Sequence, residues 1–140
     1  MAADSLRSVS LTRTSPRVYR ATNPRGGELQ MGDGSTTDFT PVELLLAAVA
    51  GCSAVDVDLV CSRKAEPDTF DLRASGEKVR DEHGNHLESV QVTFSITFPA
   101  DEEGDAARER LPGAVEMSRD RLCTVSRTVA LPTPVIFDLR

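Results

Sequence analysis

Three cysteines occur in the chain, and two of them stand in surroundings that invite chemistry. Cys52 closes the run Thr40-Pro41-Val42-Glu43-Leu44-Leu45-Leu46-Ala47-Ala48-Val49-Ala50-Gly51-Cys52. Cys123 opens Cys123-Thr124-Val125-Ser126, about seventy residues later. Two thiols on separate elements can act as a nucleophile and its resolving partner. A thiol inside a core helix is otherwise a small buried hydrophobe, and the residue pattern leaves both readings open for Cys52. Asp56 lies four positions on, along the same helical face, where a carboxylate charge raises a thiol pKa. Cys123 falls where a second helix ends and a short one begins, with Arg121 and Arg127 close in sequence. Orphan N–H groups and cations at such a place favour thiolate; the alternative is an ordinary junction residue. Cys61 is half a helical revolution from Cys52 and reads as structural.

Glu43 is either a helix-capping residue or a functional carboxylate. Arg17 and Arg20 follow a turn between two short strands and are either surface charges or cations serving a site. Metal binding finds little support. There is no C-x-x-C pair, and His83 and His86 lie in a polar turn far along the chain from every cysteine. No metal and no cofactor are expected.

A net charge of −6 and a pI near 4.9 lack the basic footprint that nucleic acid or an anionic membrane requires. With no Trp and one Tyr, no platform for stacking bases is evident. The first thirty residues carry five arginines and no continuous apolar stretch, so no secretory leader is expected. The longest uninterrupted apolar run, Leu44 to Cys52, is too short to span a bilayer. A cytoplasmic protein with reduced thiols is the expectation.

The 140 residues suit one ordinary domain, here 1–140, with a β-meander and loop over 1–38 and the remainder over 39–140. The meander comprises strands at Arg7–Thr14, Arg17–Thr22 and Glu28–Met31, separated by Ser15-Pro16 and Asn23-Pro24-Arg25-Gly26-Gly27. Thr40, Pro41 and Glu43 form a capping box with proline at the first helical position, and Phe39 and Leu44 stand at the hydrophobic-staple positions. The helix should reach about Arg63. It is apolar nearly all round and needs cover on every side, which predicts a homodimer. A hairpin comes next, Thr69–Val79 and Leu87–Phe98, the second arm alternating Val90, Val92, Phe94, Ile96 and Phe98. A second helix spans Gly104–Arg121, with Leu111, Val115, Ser118 and Leu122 on one face and Pro112 kinking or restarting it. A short helix over Cys123–Val129 and a terminal strand Val135–Leu139 complete an α+β chain with largely antiparallel sheets.

The cysteine segments and their setting resemble the OsmC/Ohr family, the osmotically inducible and organic hydroperoxide resistance proteins. The matching pieces are Thr40-Pro41-Val42-Glu43-Leu44, Ala47-Ala48-Val49-Ala50-Gly51-Cys52 and Cys123-Thr124-Val125-Ser126. The resemblance implies an intertwined homodimer, its sheets wrapped around long central Cys-bearing helices, with sites at the subunit interface. It implies a thiol-dependent peroxidase acting on organic hydroperoxides in oxidative-stress defence. Cys52 would attack as a thiolate, Cys123 would resolve the sulfenic acid as a disulfide, and a dithiol reductant such as a lipoylated protein would restore both thiols. It also implies an arginine paired with a carboxylate, matched best by Arg17, with Arg20 in reserve and Glu43 as the nearest carboxylate. In the peroxide-reducing branches the carboxylate directly follows the helix-opening proline; here that position is Val42. One residue is about a 100° rotation on a helix. The segment Gly51-Cys52-Ser53-Ala54-Val55-Asp56-Val57 is more similar to a less-characterised branch of the family. The alternative function is a non-enzymatic dimer that binds a small molecule or senses redox state.

Overall fold

The computed structural model describes residues 5–140. Residues 1–4, which the expected domain 1–140 includes, lie outside the described residues. The chain forms two compact units, one up to Leu45 and one over Leu46–Arg140.

The first unit carries β1 (Ser10–Ser15), β2 (Val18–Thr22) and β3 (Glu28–Met31), an antiparallel meander in that spatial order. The tight reversal after β1 sets Arg17 at φ 61, a left-handed conformation that costs a non-glycine residue about 1–2 kcal/mol. Asn23 builds the next turn by accepting from the backbone N–H groups of Arg25 and Gly27, the Asx geometry that makes asparagine a turn residue. The loop after β3 leads into α1 (Pro41–Cys61). The capping box forms as the sequence requires. Thr40 N–H donates to Glu43 Oε1 at 2.9 Å, and Glu43 N–H donates to Thr40 Oγ1 at 3.2 Å.

In the second unit, β4 (Thr69–Asp81) and β5 (Gly84–Thr97) form a long antiparallel hairpin. Its turn is tighter than the sequence suggests, because Gly84 adopts φ 118 and lets the chain reverse in two residues. Phe70 and Leu72 on β4, with Val90, Val92, Phe94 and Ile96 on β5, turn one face inward while alternate residues stay exposed. Against this face pack α1 and α2 (Glu102–Met117), burying Val57, Cys61, Phe98, Ala107 and Ala114. Asp101 caps α2 by accepting from Gly104 N–H at 2.7 Å.

Three expectations are corrected. The second helix runs through Pro112 without restarting; the irregularity comes later, as a π-helical turn at Ser118–Leu122, followed by α3 (Thr124–Ala130). The terminal strand Val135–Leu139 does not form. That segment is neither helix nor strand, and Ile136 and Phe137 are 82% and 91% exposed, because a β-pattern makes a strand only where an edge receives it. Finally, the run Leu44–Cys52 understates the helix that contains it. Among the described residues α1 alone is long and apolar enough, by length and composition, to cross a membrane. Here Val49, Ser53, Val57 and Cys61, four residues apart, form its buried face, and other apolar side chains such as Val55 and Leu59 stay exposed.

Candidate thiol site

The second unit brings together three groups from two parts of the chain. Cys52 and Asp56 project from one face of α1, one turn apart, and Cys123 comes from the junction between the π turn and α3. Their two sulfurs and a carboxylate oxygen all lie within 4.8 Å of one another. All three cysteines are free thiols. Cys52 is half-buried, whereas Cys123 is wholly buried.

The π turn explains how Cys123 reaches this place. The turn closes with Cys123 N–H donating to Ser118 O at 2.9 Å, and its extra residue rotates the downstream chain relative to an ordinary helix. Cys123 then leaves the helical region at ψ 99 and serves as N-cap of α3. Its Sγ accepts Ser126 N–H at 3.3 Å and stands 3.1 Å from Ser126 Oγ. The other end of the turn anchors Asp56: Ser118, fully buried, donates its hydroxyl to Asp56 Oδ2 at 2.9 Å.

These surroundings treat the two thiols differently. Burial pushes the Cys52 thiol up, and the adjacent Cys123 and the Asp56 charge push it further, against the Val125 amide, which favours thiolate. Burial also acts against the Cys123 thiolate, but hydrogen bonds from the Ser126 hydroxyl and amide, the Ser53 hydroxyl and Cys52 outweigh it. The Cys123 thiol is therefore held below its ordinary value. The family resemblance points to Cys52 as the more readily ionised thiol; in this arrangement it is Cys123. Cys61 is buried in the core beside Val57 and takes no part in the cluster, as the sequence suggests.

A cavity of about 600 Å³ opens beside the cluster. Val90, Val92, Phe94 and Val115 give it an apolar wall, and Ser53 and Ser126, both hydrogen-bonded to Cys123, line the side toward the thiols. Neither serine stands out in the sequence, though Ser53 shares the four-residue spacing of the buried face of α1.

In the first unit, Arg17 Nε donates to Asp33 Oδ2 at 2.8 Å. The Asp33 carboxyl is lowered to about 2, first by the Ser35 hydroxyl and amide and then by Arg17. Glu43, the carboxylate expected near the thiol, is held at the Thr40 backbone, which also lowers its pKa. Arg20 is exposed in the middle of β2. No sequence pattern marks Asp33 as the partner of Arg17.

The chain is similar to proteins of known sequence and structure over nearly its whole length. An uncharacterized protein of Mycobacterium tuberculosis is 29% identical over 125 residues, covering 88% of each chain. An OsmC-like protein of unknown function from Vibrio cholerae superposes with a TM-score of 0.74 at 12% identity, covering 90% of this chain and 94% of that one. The organic hydroperoxide resistance protein OhrB of Bacillus subtilis superposes with a TM-score of 0.55 at 17% identity, covering 88% and 90%. Residues 32–138, which hold both cluster cysteines, match the family model of the OsmC-like proteins, and the chain belongs to that family.

Proposed function

We propose that the protein is a thiol-dependent peroxidase that reduces organic hydroperoxides, using Cys52 and Cys123 as its redox pair. The observation that carries this reading is the meeting of the two free thiols, within 4.8 Å, beside a cavity with an apolar wall. Cys52, the more open of the two, attacks the distal peroxide oxygen as a thiolate. The O–O bond breaks, Cys52 becomes a sulfenic acid, and the alkoxide leaves as an alcohol after taking a proton. Cys123 sulfur then displaces water from the sulfenic acid and a Cys52–Cys123 disulfide forms. Two electrons and two protons from a dithiol reductant, such as a lipoylated protein, restore the thiols. Cys52 becomes a thiolate when its proton passes to the neighbouring Cys123 sulfur, with which it shares a hydrogen bond. Apolar walls favour alkyl hydroperoxides over hydrogen peroxide, since alkyl groups gain by leaving water.

Family membership and the hydroperoxide resistance for which the Bacillus subtilis protein is named support the same reading. The resemblance assigns supporting roles to Arg17, held by Asp33, and to Glu43. A homodimer would cover the apolar side chains that α1 leaves open, Val55 at 60% and Leu59 at 61% exposure, and would give Val135–Leu139 an edge to join. A cytoplasmic setting, where thiols stay reduced, suits this proposed cycle.

The test is mass spectrometry after one equivalent of cumene hydroperoxide. A loss of about two daltons mapping to Cys52–Cys123 is expected, the two hydrogens that leave as the disulfide of the cycle forms. In Cys123→Ser, a trapped sulfenic acid at Cys52 should replace it. An unmodified mass would exclude the peroxidase. It would favour a ligand-binding or redox-sensing dimer, a reading for which the Asp56 charge beside Cys52 and the nearby cavity speak.

A further inference from the structure

The cysteine spacing in the sequence hides a second chemistry at the same cluster. Tetrahedral zinc, with bonds of about 2.3 Å to sulfur and 2.0 Å to oxygen, sets its donors roughly 3.5–3.8 Å apart. Cys52 Sγ, Cys123 Sγ and an Asp56 oxygen already lie within 4.8 Å of one another, so small side-chain rotations bring them onto one ion. We propose that Cys52, Asp56 and Cys123 form a binding site for a single Zn²⁺, its fourth position open to water or a small ligand.

The donor set suits this metal: two soft thiolates and one carboxylate match the borderline character of zinc, and three protein ligands leave a position free. Cys52 and Asp56 are four residues apart on α1, which puts both donors on one helical face. The ligands are also oriented from behind. Ser118 Oγ holds one Asp56 oxygen at 2.9 Å and leaves the other available, while Ser126 N–H fixes Cys123 Sγ at 3.3 Å. Such supporting hydrogen bonds commonly tune metal affinity by about 10–100-fold. Without a cation, ionising all three groups would place three negative charges within 4.8 Å; a divalent ion removes that repulsion. Binding converts any remaining thiol to thiolate and releases its proton to solvent, with no change of oxidation state.

Zinc binding needs no oxidant, so this inference stands apart from the peroxidase reading. Its consequence for that reading is that bound metal ties up both sulfurs and protects them from hydroperoxide.

The experiment titrates the reduced, metal-free protein anaerobically with Zn²⁺ against a chromophoric chelator, and with Cd²⁺ to read the thiolate-to-metal ultraviolet band. One ion per chain is expected, with a Cd²⁺ band of two-thiolate intensity in the unaltered protein. Cys52→Ser should abolish binding and Asp56→Asn should weaken it at least tenfold. Cys61→Ser and the double variant His83→Ala/His86→Ala should bind as the unaltered protein does. Absence of stoichiometric binding, a Cd²⁺ band of one thiolate or none, or affinity unchanged in Asp56→Asn would each overturn the proposal. The Cd²⁺ band is read on the unaltered chain, so a variant that folds poorly leaves the test intact.

Discussion

Ser118 and Asp56 are 62 residues apart in sequence and joined by a 2.9 Å hydrogen bond, from a fully buried hydroxyl to a half-buried carboxylate. This bond ties the π turn to α1 and fixes the acidic side of the thiol cluster. Ser118→Ala should destabilise the fold by about 1–3 kcal/mol, because the carboxylate loses a buried donor. Chemical denaturation checks this, and a change under about 0.5 kcal/mol would mean that water replaces the hydroxyl at little cost.

The two thiols should respond in opposite directions to the loss of their neighbours. Ser126→Ala removes a hydroxyl that favours the Cys123 thiolate, so the Cys123 pKa should rise. Asp56→Asn removes a charge that opposes the Cys52 thiolate, so the Cys52 pKa should fall. Thiolate absorbance followed against pH, in variants keeping one cluster cysteine each, gives both directions.

The same shifts fix the signs of the pH dependence of stability. Cys123, with a lowered folded pKa, adds stability that is present above the ordinary thiol pKa of about 8.5 and lost as pH falls through its folded value. Cys52, with a raised folded pKa, adds stability present below about 8.5 and lost as pH rises through its folded value. Cys52→Ala should therefore flatten the loss of stability at alkaline pH. Denaturation midpoints at about pH 7 and about pH 10 give the comparison, and an unchanged slope would contradict the assignment.

Asp33 gives a separate acid-range test. Its carboxyl is lowered to about 2, so its stabilising effect is present above pH 3.8 and is lost as pH falls through about 2. The Ser35 hydroxyl makes the largest contribution. Ser35→Ala should raise the Asp33 midpoint toward 3.8, and Arg17→Ala should raise it as well. Carboxyl chemical shifts followed by NMR titration read the midpoint in each variant.

Gly104 is required by space rather than by backbone conformation. A Cβ there would stand 1.8 Å from the Pro99 carbonyl oxygen, so the start of α2 must move if any side chain is added. Gly104→Ala should cost about 3 kcal/mol, against about 1 kcal/mol for Asp101→Ala, which removes only the cap at the same helix end. Thermal unfolding of the two variants ranks them; equal costs would show that the loop before α2 yields freely.

The elements themselves were legible in the chain. Local rules set them: the capping box at Thr40 and Glu43, the turn residues of the meander, and the period-two alternation through Val90 and Ile96 require only near neighbours. The motif residues around Cys52 and Cys123 also carried the family. What the sequence could not settle was set by contacts across long separations. The Ser118 bond to Asp56, the placing of Cys123 by a π turn and its hydrogen bonds to Ser126 and Ser53 decide which thiol is the more acidic. The same placement turns three residues without metal-binding spacing into one cluster. The terminal segment shows the limit from the other side. Val135–Leu139 has the strand-favouring residues Val135, Ile136 and Phe137, but strand formation depends on a hydrogen-bonding edge, and residue types alone do not supply one.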